Sequence, residues 1–329
     1  MIKTGSRNQL DKLEQLTTNW GIYQHGKLDK PNPEFGYALE DQARALIVTE
    51  AFGEEKLANI YFEFIINALD NNGKIYQYFY DSDDSIVPDR SKECSEDGLG
   101  IVTWALMTTK KEGQKKDKIL KIILNQAEGW NYLRPMVYLV LGLVNGNRSD
   151  LEDSLTKKIL DAYKEDGDWR WSEDKLTYGN ALIPWALWKR GRIRQDRISL
   201  EIAPKATDFL LKMNLKDNVP MPVANFGLNK DDRERIYFDQ QPIEVAYMVC
   251  CLEQAYLTTN DRYYWDQASN WWKWFWGNNI NQAKLIDNNF ACYDGLTAND
   301  DKVNLNQGAE SNICFLMAYQ AVKRLNLVD

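Results

Sequence analysis

Apolar residues along this 329-residue chain recur with a helical period, and alternating strand-like runs are scarce. The pattern predicts twelve helices, near residues 7–18, 38–53, 55–69, 98–110, 115–128, 131–145, 150–164, 177–190, 199–213, 240–259, 261–276 and 307–325. The links between them alternate in length. Short ones such as Gly53-Glu54-Glu55 and Thr259-Asn260-Asp261 close a helical hairpin. Long ones at 19–37, 70–96, 165–176, 214–239 and 277–306 lead to the next hairpin. Gly, Pro, Asn and Asp concentrate in the long links, and loops of that length inside a domain usually carry function. Six hairpins in one domain over residues 1–329 predict an all-α (α/α)6 toroid, with the long links on one side. An α-solenoid would show a repeat of fixed length, and a doubly wound fold would show parallel strands. The chain shows neither pattern.

A second pattern is superimposed on the first. Five times, carboxylates or amides precede an apolar helical run: Glu40-Asp41-Gln42, Glu96-Asp97, Glu173-Asp174 with Tyr178-Gly179-Asn180, Asp239-Gln240-Gln241-Pro242-Ile243-Glu244, and Asn306-Gln307-Gly308-Ala309-Glu310. One such start is an ordinary cap. Five at quasi-regular intervals suggest helix starts that face a shared cavity. Paired carboxylates are what glycosidic cleavage needs, one kept protonated as the acid and the other acting as base or nucleophile. The candidates are Glu310, Glu244, Asp41, Asp97 and Glu173, with Glu310 and Glu244 as the first pair.

Gln307 precedes Glu310 by three residues and shares its helical face, and Gly308 admits a close approach. Glu310 also fits a first-turn acid stabilised by the helix dipole. Glu244 falls one turn into its predicted helix, past an early Pro242 and an Asp239 that reads as the N-cap. Arg44 reads as the local ion-pair partner of Asp41, and one of Glu96 and Asp97 reads as a cap. Tyr37, Arg44, Tyr178, Asn180, Asp239, Gln240, Gln241, Asp294, Asn306 and Gln307 complete a substrate-binding set. Trp104, Trp169, Trp171 and Trp185 are candidate stacking platforms for sugar faces.

Composition narrows the classes. With 44% apolar residues the chain can bury a large core without disulfides or metals. Five cysteines, Cys94, Cys250, Cys251, Cys292 and Cys314, form no C-x-x-C pair, which predicts buried free thiols in a reducing, cytoplasmic compartment. A net charge of -8 argues against nucleic acid and an anionic membrane surface. No stretch reaches the ~18–20 apolar residues of a membrane span, and the first ten residues lack the apolar core of a signal peptide. The single histidine, His25, excludes a metal site or an epimerase mechanism built on two histidines. No P-loop, Rossmann turn, G-x-S-x-G or zinc spacing is present, so no cofactor or metal is expected. Asp81-Ser82-Asp83-Asp84 resembles the acid motif of class II terpene cyclases. Protonating an alkene needs a dry pocket, whereas the polar context here predicts a solvated or cation-binding loop.

Cys292-Tyr293-Asp294-Gly295-Leu296, followed by Asn304-Leu305-Asn306-Gln307-Gly308-Ala309-Glu310-Ser311, carries a family resemblance. So do Gly36-Tyr37-Ala38-Leu39-Glu40-Asp41-Gln42-Ala43-Arg44-Ala45-Leu46, Leu176-Thr177-Tyr178-Gly179-Asn180-Ala181 and Phe238-Asp239-Gln240-Gln241-Pro242-Ile243-Glu244. In this order they resemble the six-hairpin glycosidase-like proteins of bacteria and archaea, which often occur fused to, or encoded near, glycosyltransferases. The resemblance covers nearly the whole chain. It implies an (α/α)6 toroid, a carbohydrate substrate and a glycosyltransferase partner. Two departures stand out: Glu40-Asp41-Gln42 where the family pattern has D-D-N, and Gly179 where it has an Asp. The expected function is glycoside hydrolysis on an oligo- or polysaccharide. The alternative is a non-catalytic glycan-binding or scaffold module working beside a glycosyltransferase. A polysaccharide lyase would need a base such as Tyr178 near an arginine or metal. A cyclase would need a sealed apolar cavity around Asp83 and Asp84.

Overall fold

The helical periodicity becomes twelve α-helices in the computed structural model, which describes residues 9–232, 234–300 and 302–328. They are α1 (Asp11–Leu16), α2 (Leu39–Phe52), α3 (Glu55–Asn67), α4 (Glu96–Thr108), α5 (Gln114–Ala127), α6 (Leu133–Leu143), α7 (Asp150–Ala162), α8 (Leu182–Arg194), α9 (Arg197–Asn214), α10 (Pro242–Thr259), α11 (Arg262–Trp272) and α12 (Ala309–Arg324). Each expected helix has its counterpart, and residues 7 and 8 of the first expected helix lie outside the described residues. The largest displacement of a start is at α8, expected from residue 177. Gly179 takes φ +58°, a left-handed conformation that an α-helix cannot continue, so the helix begins only at Leu182.

Two kinds of helix alternate along the chain. In α10, every residue from Pro242 to Ala255 is buried, and α2, α4, α6, α8 and α12 are buried nearly as completely. The helices between them are amphipathic. In α3, for example, Leu57, Ala58, Tyr61, Phe62, Phe64 and Ile65 form one buried stripe. A helix that is apolar all round must be covered all round, whereas an amphipathic helix covers with one face and meets water with the other. Six such pairs make this the (α/α)6 class expected from the sequence. Among the described residues, the extended segments are short antiparallel pairs. The longest set runs Tyr37–Ala38 beside Tyr78–Ser82 beside Ser85–Pro88.

The chain forms two compact units. One comprises Leu10–Thr156 with Asn306–Ile313. In it α2 packs on α3 and α4, and α4 packs on α6. The α4–α6 approach is close enough to require glycine on both sides. A Cβ at Gly100 would lie 2.8 Å from the Pro135 carbonyl oxygen, and one at Gly142 would lie 2.9 Å from the Trp104 Cα. The other unit is built from Lys157–Leu305 and Cys314–Asp329. There α8 packs on α9 and α10, and α10 packs on α11. An aromatic cluster fills its interior: Trp272 stacks on Phe315 at 5.4 Å between ring centres, and Phe290 meets the same Phe315 edge-on at 5.0 Å. The five cysteines are free thiols, four of them buried and Cys94 half-buried. No helix among the described residues is long and apolar enough to cross a membrane.

Replacing Gly100 or Gly142 by alanine forces α4 and α6 apart. Each variant is expected to lose roughly 1–3 kcal/mol through overpacking, despite the better helix propensity of alanine. Denaturant melts of the purified variants check this, and an unchanged midpoint would contradict it.

Candidate active site

Arg44 lies on α2 and is only 5% exposed, so its charge has to be met where it sits. Three carboxylates meet it. Asp41 Oδ1 lies 3.3 Å from Nη1, Glu310 Oε2 lies 3.6 Å from the same Nη1, and Glu40 Oε2 lies 3.6 Å from Nη2. Glu40 and Asp41 reach Arg44 because residues three and four apart share a helical face. Glu310 comes from the other end of the chain, in the first turn of α12.

A β-hairpin, His25–Lys27 with Lys30–Asn32, holds the segment before Glu310 in place. Gln307 N–H donates to the Leu28 carbonyl at 3.0 Å, Ala309 N–H to the Gln24 carbonyl at 3.0 Å, and Leu28 N–H to Asn306 Oδ1 at 2.9 Å. A Cβ at Gly26 would lie 2.6 Å from the Gln307 carbonyl oxygen, so only glycine admits this approach. Asn306 and Gln307, expected to hold substrate hydroxyls, both take part in fixing the start of α12.

The two acids on Nη1 differ in environment. Asp41 is 3% exposed, and burial pushes its carboxyl well above the ordinary carboxylate range. Arg44 opposes that shift, while Glu40 and Glu310 add to it. The Glu310 side chain is 42% exposed. Sharing one nitrogen keeps the two carboxyl oxygens within ~7 Å of each other.

Further groups of the same unit surround this centre. Gln77 Nε2 donates to Glu40 Oε1 at 3.0 Å. Strand pairing sets Tyr78 opposite Ala38, at the start of α2. Burial, and then the nearby Glu40 and Asp41, raise the Tyr78 phenol above its ordinary value. Cys94 lies near Glu40 and Asp97, and burial together with these acids pushes its thiol up. Asp97 is half-buried in the first turn of α4. The cap of that helix is neither Glu96 nor Asp97: Ser95, in extended conformation, accepts from Gly98 N–H at 3.1 Å. Tyr37 is buried, and its hydroxyl donates to Asp81 Oδ1 at 2.7 Å while Tyr23 donates to Asp81 Oδ2 at 2.6 Å. Asp81, Asp83 and Asp84 are exposed on the 78–88 hairpin. No cluster of His, Cys, Asp and Glu suited to a metal occurs among the described residues. Trp104 is buried with its ring against Tyr138, 6.2 Å between centres.

Glu244 and Glu173 belong to the other unit. Glu244 is 8% exposed. Its Oε1 accepts from the Gly179 N–H, and its Oε2 accepts from Asn180 Nδ2 at 3.3 Å. Asn180 also bridges Thr177, accepting from its N–H at 3.0 Å and donating to its carbonyl at 2.9 Å. The left-handed turn at Gly179 thus serves the carboxylate, at the position where the resembled family has an Asp.

Glu244 sits in the first turn of α10, not one turn in as expected. Pro242 takes the first helical position and holds Gln241 before it in extended conformation, so the helix starts two residues late. For the same reason Asp239 is not the N-cap. It is exposed and tied by its backbone to Asn225, at 3.0 and 3.3 Å. Gln240 is buried, with its side chain on the Tyr237 carbonyl and the Trp274 indole and its backbone paired to Leu296. Gln241 and Asp294 are half-buried. Trp169 donates to the Glu173 carbonyl at 2.7 Å, and both Trp169 and Trp171 pack on Phe209. Trp185 lies against Tyr247 at 5.9 Å, and Tyr178 is 49% exposed.

Sequence reasoning left Glu40, Gln77, Tyr78 and Gly26 out of the candidate set. For Glu40 the signal was there, in its i,i+4 spacing to Arg44. Tyr78, inside the aromatic run Tyr76-Gln77-Tyr78-Phe79-Tyr80, carried none.

No family model matches the chain, and no curated protein matches it. Solved structures do. A sugar epimerase from a ruminal bacterium superposes with a TM-score of 0.71 at 13% identity, over 97% of this chain and 96% of that one. An unsaturated glucuronyl hydrolase specific for heparin superposes with a TM-score of 0.63 at 12% identity, over 98% and 95%. The cellulase Cel9M of C. cellulolyticum does so with a TM-score of 0.60 at 10% identity, over 93% and 87%. At such identities the likeness establishes the fold.

The raised Asp41 carboxyl has a consequence for stability. Unfolded, it titrates near ~3.9. The folded protein therefore binds the extra proton from about pH 4 up to the raised value, and its contribution to stability is lost as pH rises through that window. Asp41→Asn, which cannot ionise, is expected to gain on the wild type progressively above about pH 4. Thermal melts across a pH series check this, and a pH-independent difference would refute it.

Proposed function

We propose that this protein hydrolyses a glycosidic bond in an oligo- or polysaccharide, with Asp41 as proton donor and Glu310 as base or nucleophile. One observation carries the reading: a buried carboxyl, pushed above the ordinary carboxylate range, and a solvent-facing carboxyl share one guanidinium nitrogen. Glycoside hydrolysis needs this division of labour. Asp41 delivers its proton to the departing glycosidic oxygen, and Glu310 attacks the anomeric carbon or activates water against it. The positive charge of Arg44 spans both groups as the proton leaves Asp41. Tyr78 and Asp97 are proposed to orient sugar hydroxyls beside them.

The similar solved structures support a carbohydrate substrate, since their names refer to a sugar epimerase, a glucuronyl hydrolase and a cellulase. The acid pair favours hydrolysis over epimerisation. Epimerisation requires a base that removes a proton from carbon, and the lone His25 packs edge-on against Phe35 at 4.6 Å. Tyr78, the tyrosine near Asp41, has its phenol raised, which disfavours it as the base of a lyase.

A reducing-sugar screen of the purified protein on oligosaccharides should find turnover. Asp41→Asn and Glu310→Gln should each lower kcat by about 10²–10⁴-fold on the substrate found. Binding without turnover would instead leave a glycan-binding module. The wild-type rate should fall as pH rises through the raised Asp41 value, and the residual rate of Asp41→Asn should lack that alkaline limb. A limb that persists in the variant would assign the proton to another group.

A further inference from the structure

Four buried indole N–H groups, of Trp171, Trp271, Trp272 and Trp276, have no acceptor among the described residues. A buried donor without an acceptor is costly and rare. Trp271 has a second property. It lines a small cavity together with Glu244, Asn180, Asn214, Leu210 and Met248, with a volume of about 10 Å³. Trp271, whose indole N–H is unanswered, thus borders one small space together with Glu244 and two asparagines.

The polar walls define what fits. The cavity has room for about one water molecule and none for a sugar ring. The Trp271 N–H disfavours a cation, and the Glu244 carboxylate disfavours an anion such as chloride. A small neutral molecule that both accepts and donates satisfies both walls. Asn214 is already engaged through Nδ2 to the Leu210 carbonyl at 2.9 Å and through Oδ1 from Arg235 at 3.0 Å. Its Oδ1 retains a second acceptor position.

We infer that this cavity is a binding site for a single water molecule, which accepts from Trp271 Nε1, donates to the Glu244 carboxylate and to Asn214 Oδ1, and thereby holds Glu244 in position. Three hydrogen bonds are the usual complement of a buried water. Glu244 is then held by the Gly179 N–H, the Asn180 amide and this water. Through Asn214 the water also joins α9 to Arg235, whose guanidinium donates to the Met213 and Met221 carbonyls.

The test needs no substrate and does not depend on the proposed reaction. In ¹⁵N-edited NOE and ROE spectra, the Trp271 indole proton should show a direct cross-peak to a long-lived water, with the resonance assigned by its loss in Trp271→Phe. A high-resolution crystal structure of the wild-type protein should place one water within hydrogen-bond distance of both Trp271 Nε1 and Glu244, and the Trp271→Phe structure should lose it. The wild-type structure decides the question even if the variant does not fold. A dry cavity, no water cross-peak, or a protein acceptor on Trp271 Nε1 would overturn the inference.

Discussion

A guanidinium buried on α2 is the constraint from which the candidate active site follows. Arg44 cannot stay in the interior without counter-charge, and the chain supplies three carboxylates to it. Two come from its own helix by spacing. The third, Glu310, reaches it because the segment before α12 is fastened to the 25–32 hairpin by backbone hydrogen bonds and by the bare backbone of Gly26. Three acids around one cation leave more negative charge than the cation balances. Burial pushes the carboxyl of the most deeply buried of them, Asp41, well above the ordinary carboxylate range. One ion-pair cluster thereby joins the starts of two helices and sets a buried carboxyl beside a half-exposed one.

Glu244 illustrates a different way to keep a carboxylate in the interior. N–H groups are aimed at both oxygens, and the left-handed turn at Gly179 provides one of them. The buried Glu253 of α10 follows the first strategy again, bound through two contacts by Arg324. Carboxylates that look alike in sequence thus divide by what meets them.

Most of the fold was legible in the chain, and less of the site. The twelve helices and the alternation of short and long links are local properties, carried by apolar spacing and turn residues. The exceptions are local as well. Gly179 delays α8, and Pro242 delays α10. The i,i+3 pairing of Asp41 with Arg44 could be read directly, and so could the free thiols. Among the five acid-bearing helix starts the sequence put Glu310 and Glu244 first and read Asp239 as a cap, and the structure places Glu310 and Glu244 in different compact units. In the structure Ser95 caps α4, Gln241 precedes α10 without a side-chain cap, and Asp239 is exposed outside its helix. Trp169 and Trp171 illustrate the same difficulty, since a surface platform and a core ring have one composition and differ only in what covers them.

By itself the sequence determined which segments are helices, which of them are apolar on every side, and where carboxylates cluster at helix starts. Those features depend on neighbours a few residues apart. Tertiary structure alone decided that Glu310 joins Asp41 on Arg44, that Tyr78 and Gln77 stand beside Glu40, and that Asp41 is the acid whose carboxyl is pushed up by burial. Protonation depends on burial and on charges contributed from opposite ends of the chain, and neither exists until the helices have packed.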